Sequence, residues 1–165
     1  MDKLISNLIT ILGLQRDIYT KLHELSAQKR TAIEEQDVNA LERIVKEEQP
    51  LMFMLTENER ERKKLVAAFS DKTGIPADEI TIQDIIEICP PSFITALKRT
   101  QIELTNIIQA QVAINEINRR LIQSRLEYIS FMMDSTRDSL NNAYSSSGSE
   151  NQRLPRGPST IDFGV

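Results

Sequence analysis

Apolar residues recur at steps of three and four along most of this chain, the spacing that lines one face of an α-helix. The first such segment covers residues 2–36, and its main positions are Leu4, Leu8, Ile11, Ile18, Leu22, Leu25 and Ala32. A second row beside these positions contains Ile5, Leu12, Tyr19 and Ile33. Because two rows make a wide apolar stripe, we expect this first helix to pack against more than one neighbour.

A second helix is predicted over residues 38–69. Asp37 precedes it as an N-cap, since its carboxylate can accept hydrogen bonds from the free amides of the first turn. Pro50 lies within the predicted helix, and a proline removes one helical hydrogen bond and crowds the preceding turn. We therefore expect a kink or a break near Glu47–Pro50.

A loop over residues 71–80, punctuated by Gly74 and Pro76, separates the second helix from a short one predicted over residues 81–88. From Ser92 to about residue 143 the chain has neither glycine nor proline. This stretch predicts a long helix over residues 92–143, roughly 75 Å in length at 1.5 Å per residue. Such a helix needs neighbours in water, so we expect the first two helices to lie along it.

Two apolar rows run along the long helix. The first comprises Ile107, Ala110, Ile114, Ile117, Leu121, Ser124, Tyr128 and Phe131. The second comprises Leu104, Ile108, Ile122, Leu126, Ile129, Met132 and Met133. The surplus of apolar residues between 126 and 133 has two interpretations: it fills the core, or it forms an exposed groove for a partner helix.

The last residues, 144–165, are rich in Ser, Gly, Pro and Asn and cannot pack a core. We predict that they form a flexible tail, with pairing of the terminal residues 161–165 as a strand on a partner as the alternative. The fold class that follows is all-α: an elongated three-helix antiparallel bundle or coiled coil with a short connecting helix. The helical domain is assigned to residues 1–143.

Composition excludes several classes of function. A net charge of −4 gives no general attraction to nucleic acid. One cysteine and one histidine allow neither an intrachain disulfide nor a conventional His/Cys metal site, and no motif indicates a cofactor. No stretch approaches the ~20 apolar residues of a membrane span, and the N-terminal apolar run lacks a cleavage site. We expect a cytoplasmic protein that is not an integral membrane protein.

Candidate catalytic residues are scarce. The sequence His23-Glu-Leu-Ser is similar to the phosphotransfer helical bundle, but Ser26 and Ala27 stand where that bundle has lysine and glycine. The alternative is an ordinary surface histidine. Neighbouring carboxylates such as Glu34 and Glu35 point to different faces of a helix and form no acid–base pair. No catalytic residue is predicted, and the chain is interpreted as a non-enzyme.

Amide side chains are frequent in the long helix, where Asn115 and Asn118 share one face. Buried amides in a helical interface specify register and partner at a cost in stability, whereas exposed amides carry no such meaning. The sequence leaves both possibilities open for these two residues.

The chain resembles the FlgN-type flagellar export chaperones over about residues 1–145. The matching positions in the first two helices are Lys29, Arg30, Ile33, Asp37, Leu41, Glu48, Gln49, Leu51 and Glu59, the last followed by Arg60 or Arg62. In the third main helix the family pattern Asn-x-x-Asn-x-x-Leu/Ile is matched by Asn115, Asn118, Leu121 and Ile122.

The resemblance implies a small chaperone that binds the helical termini of flagellar hook-associated junction proteins, keeps them soluble and delivers them to the type III export apparatus. The residues expected to bind these proteins are Asn115, Asn118, Leu121, Ile122, Leu126, Ile129, Met132, Met133 and Leu140. Some members have a Tyr-Gly-x-x-Gly-like element that is linked with docking at the export gate. Here Tyr144 stands at its start, with serine at the second position.

Two alternatives come from other classes of protein. The apolar rows would also suit a coiled-coil scaffold or adaptor that associates with itself. A phosphotransfer protein acting through His23 is the third possibility.

Overall fold

The chain folds as four α-helices in a computed structural model that describes the backbone of residues 1–147 and the side chains of residues 1–140. The helices are α1 (Asp2–Glu35), α2 (Val38–Thr73), α3 (Ile82–Glu87) and α4 (Pro91–Ser147). No strand occurs in the described part, which confirms the all-α prediction. The predicted tail lies outside the described residues, apart from the last helical turn before Gly148.

Local sequence signals place the helix ends. α1 ends at Glu35, and the next residue, Gln36, takes a left-handed conformation with φ 60°. Asp37 then caps α2 as predicted, its carboxylate accepting a 2.9 Å hydrogen bond from the amide of Ala40. α2 ends at Thr73, and Gly74 follows it with φ 73°, a conformation in which a side chain would be strained.

The short helix α3 begins with a complete capping box. The amide of Asp84 donates to the Thr81 hydroxyl at 3.3 Å, and the amide of Thr81 donates to the Asp84 carboxylate at 2.7 Å. Bonds of this kind satisfy amides that a helix start leaves without partners. They also lower the pKa of the Asp84 carboxyl, chiefly through its hydrogen bond with the Thr81 side chain.

The Asp37 cap gives a first prediction. Asp37→Ala should lower the free energy of unfolding by about 1 kcal/mol, because it removes the acceptor for an amide at the start of α2. Urea denaturation followed by circular dichroism measures the change. The control is Glu42→Ala at an exposed position of α2, which should change stability by less than about 0.5 kcal/mol. Equal effects of the two substitutions would contradict a capping role.

Of the two outcomes expected at Pro50, a kink or a break, the break does not occur. The helix continues through this position to Thr73. Pro50 lies at an exposed position, where water can hydrate the carbonyl that loses its helical partner.

Two compact units make up the chain: residues 1–124, and residues from Arg125 onward. In the first unit, α2 runs antiparallel to α1, as the contacts of Gln15 with Glu59 and of Lys29 with Glu48 require. The first part of α4 runs parallel to α1, because Arg16 contacts Glu103 and Ser26 contacts residues 111–118. The three main helices of the first unit are therefore arranged up-down-up.

The main core lies in the first unit and draws on all four helices. Its buried members are Ile5, Leu8, Leu12, Phe69, Ile85, Ile86, Cys89, Leu97 and Leu104. A smaller cluster of Leu25, Ala32 and Ile44 holds the other end of the α1–α2 pair. The loop before α3 and α3 itself pack against the main core, so the short connecting helix contributes to packing.

The buried row of α4 differs from both predicted rows. It follows every seventh residue through Leu97, Leu104, Gln111 and Asn118. By contrast, Ile117, Tyr128 and Phe131, which belong to the first predicted row, are exposed. The predicted rows hold in part, since Leu104 is buried and Ile107 and Ile108 pack against the core, but two hydrogen-bonded amides occupy the other interior positions.

Candidate partner-binding surface

A cluster of large apolar side chains is exposed on α4 within the second unit. Its members are Leu126, Tyr128, Ile129, Phe131, Met132, Met133 and Leu140, which are between 46% and 69% exposed. Most of them fall on one side of the helix because they follow each other at steps of three and four. We call Leu126, Tyr128, Ile129, Met132, Met133 and Leu140 the C-terminal apolar face.

This face forms an open, mostly apolar concavity. The residues that line it are Tyr128, Ile129, Met132, Met133, Thr136, Arg137 and Leu140. Methionine side chains are flexible and polarisable, so they adapt to partners of different shape. Arg137 and the Tyr128 hydroxyl supply polar groups beside the apolar surface. The arrangement suits the apolar stripe of an amphipathic helix better than a small polar ligand.

The predicted interpretation of residues 126–133 as an exposed surface therefore fits the structure better than core filling. A contiguous exposed patch of this kind is a mark of an interaction site in a monomeric protein. Among the described residues of the second unit, α4 is the one element, and these side chains are exposed on it. The residues expected from the sequence to bind a partner do not include Tyr128, which belongs to the face, or Thr136 and Arg137, which lie beside it.

The amide residues that were expected to bind a partner lie elsewhere. Asn118 is 3% exposed, and its Nδ2 donates a 2.8 Å hydrogen bond to the main-chain oxygen of Ser26. Asn115 is exposed, but its Oδ1 accepts from the Ser26 hydroxyl at 3.2 Å. Leu121 is half-buried and Ile122 is exposed, both within the first unit. Asn118 is thus part of the bundle interior and is not available to a partner.

Sequence reasoning missed Ser26. This residue is fully buried and forms hydrogen bonds with Gln111, Asn115 and Asn118. A signal was present, because Ser26 interrupts the otherwise apolar or aromatic row of every seventh residue in α1.

Ion pairs hold the outer surface of the bundle. Arg16 lies between Asp17, at 2.7 Å, and Glu103, at 2.6 Å, and hydrogen bonds to these carboxylates raise the pKa of its guanidinium. Hydrogen bonds from Arg16 and then Arg99 lower the pKa of Glu103 in turn. The Arg16–Glu103 contact joins α1 to α4 on the outside of the core.

Two further carboxylates are held in their charged forms. Arg62 contacts Glu59 at 2.7 Å and lowers its pKa through a hydrogen bond. Arg119 and Arg120 both contact Glu116 and lower its pKa from 4.5 to about 2. These shifts come from structural ion pairs in the first unit and do not create a group that would exchange protons near neutral pH.

The structure gives little support to chemistry at His23. The residue is half-buried, and its Nδ1 atom is buried without a hydrogen-bond partner in the described part of the chain. Within residues 1–140, no cluster of three or more His, Cys, Asp or Glu side chains could hold a metal ion. No helix in the described part of the chain has the length and apolar content required to cross a membrane.

The side chain of Tyr144 lies outside the described ones. Its backbone belongs to the last turns of α4. The predicted role in docking at the export gate therefore stays a prediction.

Comparison with known proteins identifies the family. The family model described as FlgN protein matches residues 1–152, which is most of the chain. No curated protein and no solved structure matches the chain. The match extends over both compact units as far as the described residues reach, and it agrees with the resemblance carried by the residues of α1, α2 and α4. The chain belongs to the FlgN family, a family of flagellar export chaperones and not of enzymes.

Proposed function

We propose that this protein binds the helical termini of flagellar hook-associated junction proteins in the cytoplasm and keeps them soluble until export. The observation that carries the proposal is the C-terminal apolar face, whose large side chains are exposed on a single helix. Helical termini that later form coiled coils expose apolar stripes before assembly. A stripe of that kind would pack against this face as one amphipathic helix against another.

The composition of the face suits temporary binding. Complete burial of one Leu, Ile or Met side chain contributes about 1.5–3 kcal/mol, and part of each side chain here is already covered. Association and ordering of the client cost several kcal/mol, on the order of 4–15 in total. The surplus supports a moderate affinity, which allows the client to be released at the export apparatus.

Delivery is the second part of the proposal. We assign contact with the type III export apparatus to the chain around Tyr144, at the end of α4 and beyond the concavity lined by residues 128–140. This assignment rests on the family resemblance and on the short sequence distance between Tyr144 and Leu140. It implies that client binding and docking use neighbouring parts of the chain.

Co-expression tests the proposed function. The tagged chaperone is produced with a junction protein from the same genome, and the complex is isolated at micromolar concentration. The control client lacks its terminal helices. We expect recovery of the full-length client and loss of the truncated one. Failure to recover the full-length client would contradict the proposal.

Self-association is the second candidate function. Besides the C-terminal apolar face, α2 exposes Val45, Met52 and Phe53, a surface that a scaffold could use to pair with a second copy. Light scattering of the chain without client distinguishes the two functions. A tight oligomer at micromolar concentration would favour the scaffold. The proposed chaperone is expected to form no tight oligomer when the client is absent.

A further inference from the structure

A polar layer interrupts the apolar contact between α1 and α4. It consists of Ser26 on α1 and of Gln111, Asn115 and Asn118 on α4, and we call it the Ser26 layer. Gln111 Nε2 donates to the Ser26 hydroxyl at 2.9 Å, and Asn118 Nδ2 donates to the Ser26 main-chain oxygen at 2.8 Å. Asn115 Oδ1 accepts from the same hydroxyl at 3.2 Å. One small residue of α1 thus forms hydrogen bonds with three amide side chains of α4.

The position of Ser26 in its helix makes these bonds possible. Every seventh residue of α1 gives the row Ile5, Leu12, Tyr19, Ser26 and Ile33, in which serine is the one small side chain. A small side chain leaves room for the Asn118 amide to reach the main-chain oxygen behind it. At the level of Tyr19 or Ile33 the larger side chain would obstruct that approach.

The facing row of α4 has matching interruptions. Its seventh-residue row is Leu97, Leu104, Gln111 and Asn118, with both amides at least nine-tenths buried. A shift of α4 by one heptad would place Gln111 or Asn118 opposite an apolar residue of α1. Burying an amide without its hydrogen-bond partner costs free energy, so the shifted arrangement is less stable than the native one. An all-apolar row would have no such difference between the two arrangements.

The layer is not optimised for stability. Gln111 Oε1 and Asn118 Oδ1 are buried and have no hydrogen-bond partner among the described residues. Incomplete satisfaction makes a buried polar contact worth little, or even unfavourable, relative to apolar packing. A contact that contributes little stability but matches only one alignment has the properties of a specificity device.

We propose that the Ser26 layer fixes the register of α4 on α1. Leucine or alanine at its positions would allow α4 to slide by a heptad, because the rest of the row is apolar. The proposal gives Asn118 a role in alignment instead of client binding, and it holds whichever client the protein carries.

Distance measurements between spin labels test the proposal. Lys3→Cys on α1 and Ala113→Cys on α4, both at exposed positions, carry the labels in a Cys89→Ser background. The native register separates them by roughly 35 Å along the helices, and a slip of one heptad changes this by about 10 Å at 1.5 Å per residue. Excess unlabelled chain keeps the measured distances within one molecule.

The key variant is Ser26→Ala with Gln111→Leu and Asn118→Leu, in which each side chain keeps its number of non-hydrogen atoms to within one. We expect a thermal midpoint equal to or above that of the parent, together with a second distance population displaced by about 10 Å. The matched control keeps Asn118 and carries Ser26→Ala and Gln111→Leu. It should show a single native distance, because the Ser26 main-chain oxygen still accepts from Asn118.

Two outcomes would overturn the proposal. A single native distance in the triple variant would show that apolar packing alone sets the register. A triple variant that does not fold would show that the layer supplies stability, which a device that only sets alignment does not.

Discussion

Replacement of Leu126, Ile129 and Met133 together by serine should abolish capture of a client helix while leaving the melting temperature of the chaperone almost unchanged. All three side chains are more than half exposed on the C-terminal apolar face, so the free protein gains little from them. A bound helix would cover them, and losing about half to two-thirds of 1.5–3 kcal/mol at each position removes about 3–5 kcal/mol of binding free energy. Affinity should fall by about two to four powers of ten.

The matched control uses exposed apolar residues of the same helix in the first unit. Ile102, Val112 and Ile117 are between 41% and 65% exposed, and their replacement by serine should leave client affinity unchanged. Isothermal titration gives the affinities, and circular dichroism gives the melting temperatures. If the Leu126, Ile129 and Met133 variant unfolds before it loses affinity, the face belongs to the core of the protein.

The second large effect concerns stability. Phe69 is fully buried in the cluster that joins all four helices, and Phe69→Ala should lower the free energy of unfolding by about 3–5 kcal/mol. The loss combines the missing apolar contacts with the cavity that remains. For a chain of this size it corresponds to a fall in melting temperature on the order of 10 °C.

Phe53 on the same helix provides the control. It is 68% exposed, so Phe53→Ala should change stability by no more than about 0.5 kcal/mol. Urea denaturation of both variants makes the comparison. Similar losses for the two would mean that the first unit does not have the core described for it.

The local chemistry of the sequence was a good guide to the helices. Asp37 signalled the start of α2, and the capping box of Thr81 and Asp84 marks the start of α3, since short polar side chains satisfy the free backbone amides of a first turn. The observed helix ends lie within four residues of the predicted ones. The sequence could not decide between a kink and a break at Pro50, because the cost of a proline depends on whether water can reach the freed carbonyl.

Burial along α4 was harder to predict. Apolar content pointed to a row through Ile107 and Ile117, whereas the interior row holds Gln111 and Asn118. A buried amide group needs a hydrogen-bond partner. For Gln111 and Asn118 this partner is Ser26, which is 85 or more residues away in the sequence. A contact between residues so distant in sequence cannot be inferred from the periodicity of one helix.

The candidate surface was predicted in part. The run of apolar residues from Leu126 to Met133 drew attention to the end of α4, but periodicity could not distinguish core from exposed surface. The structure resolves this choice by leaving the side chains uncovered among the described residues. It also separates Asn118, which binds Ser26, from the exposed residues of the C-terminal apolar face.

Hydrogen exchange, measured by mass spectrometry with and without a junction-protein terminal helix, tests the central claim most directly. The account predicts that the client slows exchange of backbone amides in residues 125–140, with no comparable change in α1 or in the Val45–Phe53 part of α2. Protection centred on α2, or a stable complex that leaves residues 125–140 unprotected, would contradict it.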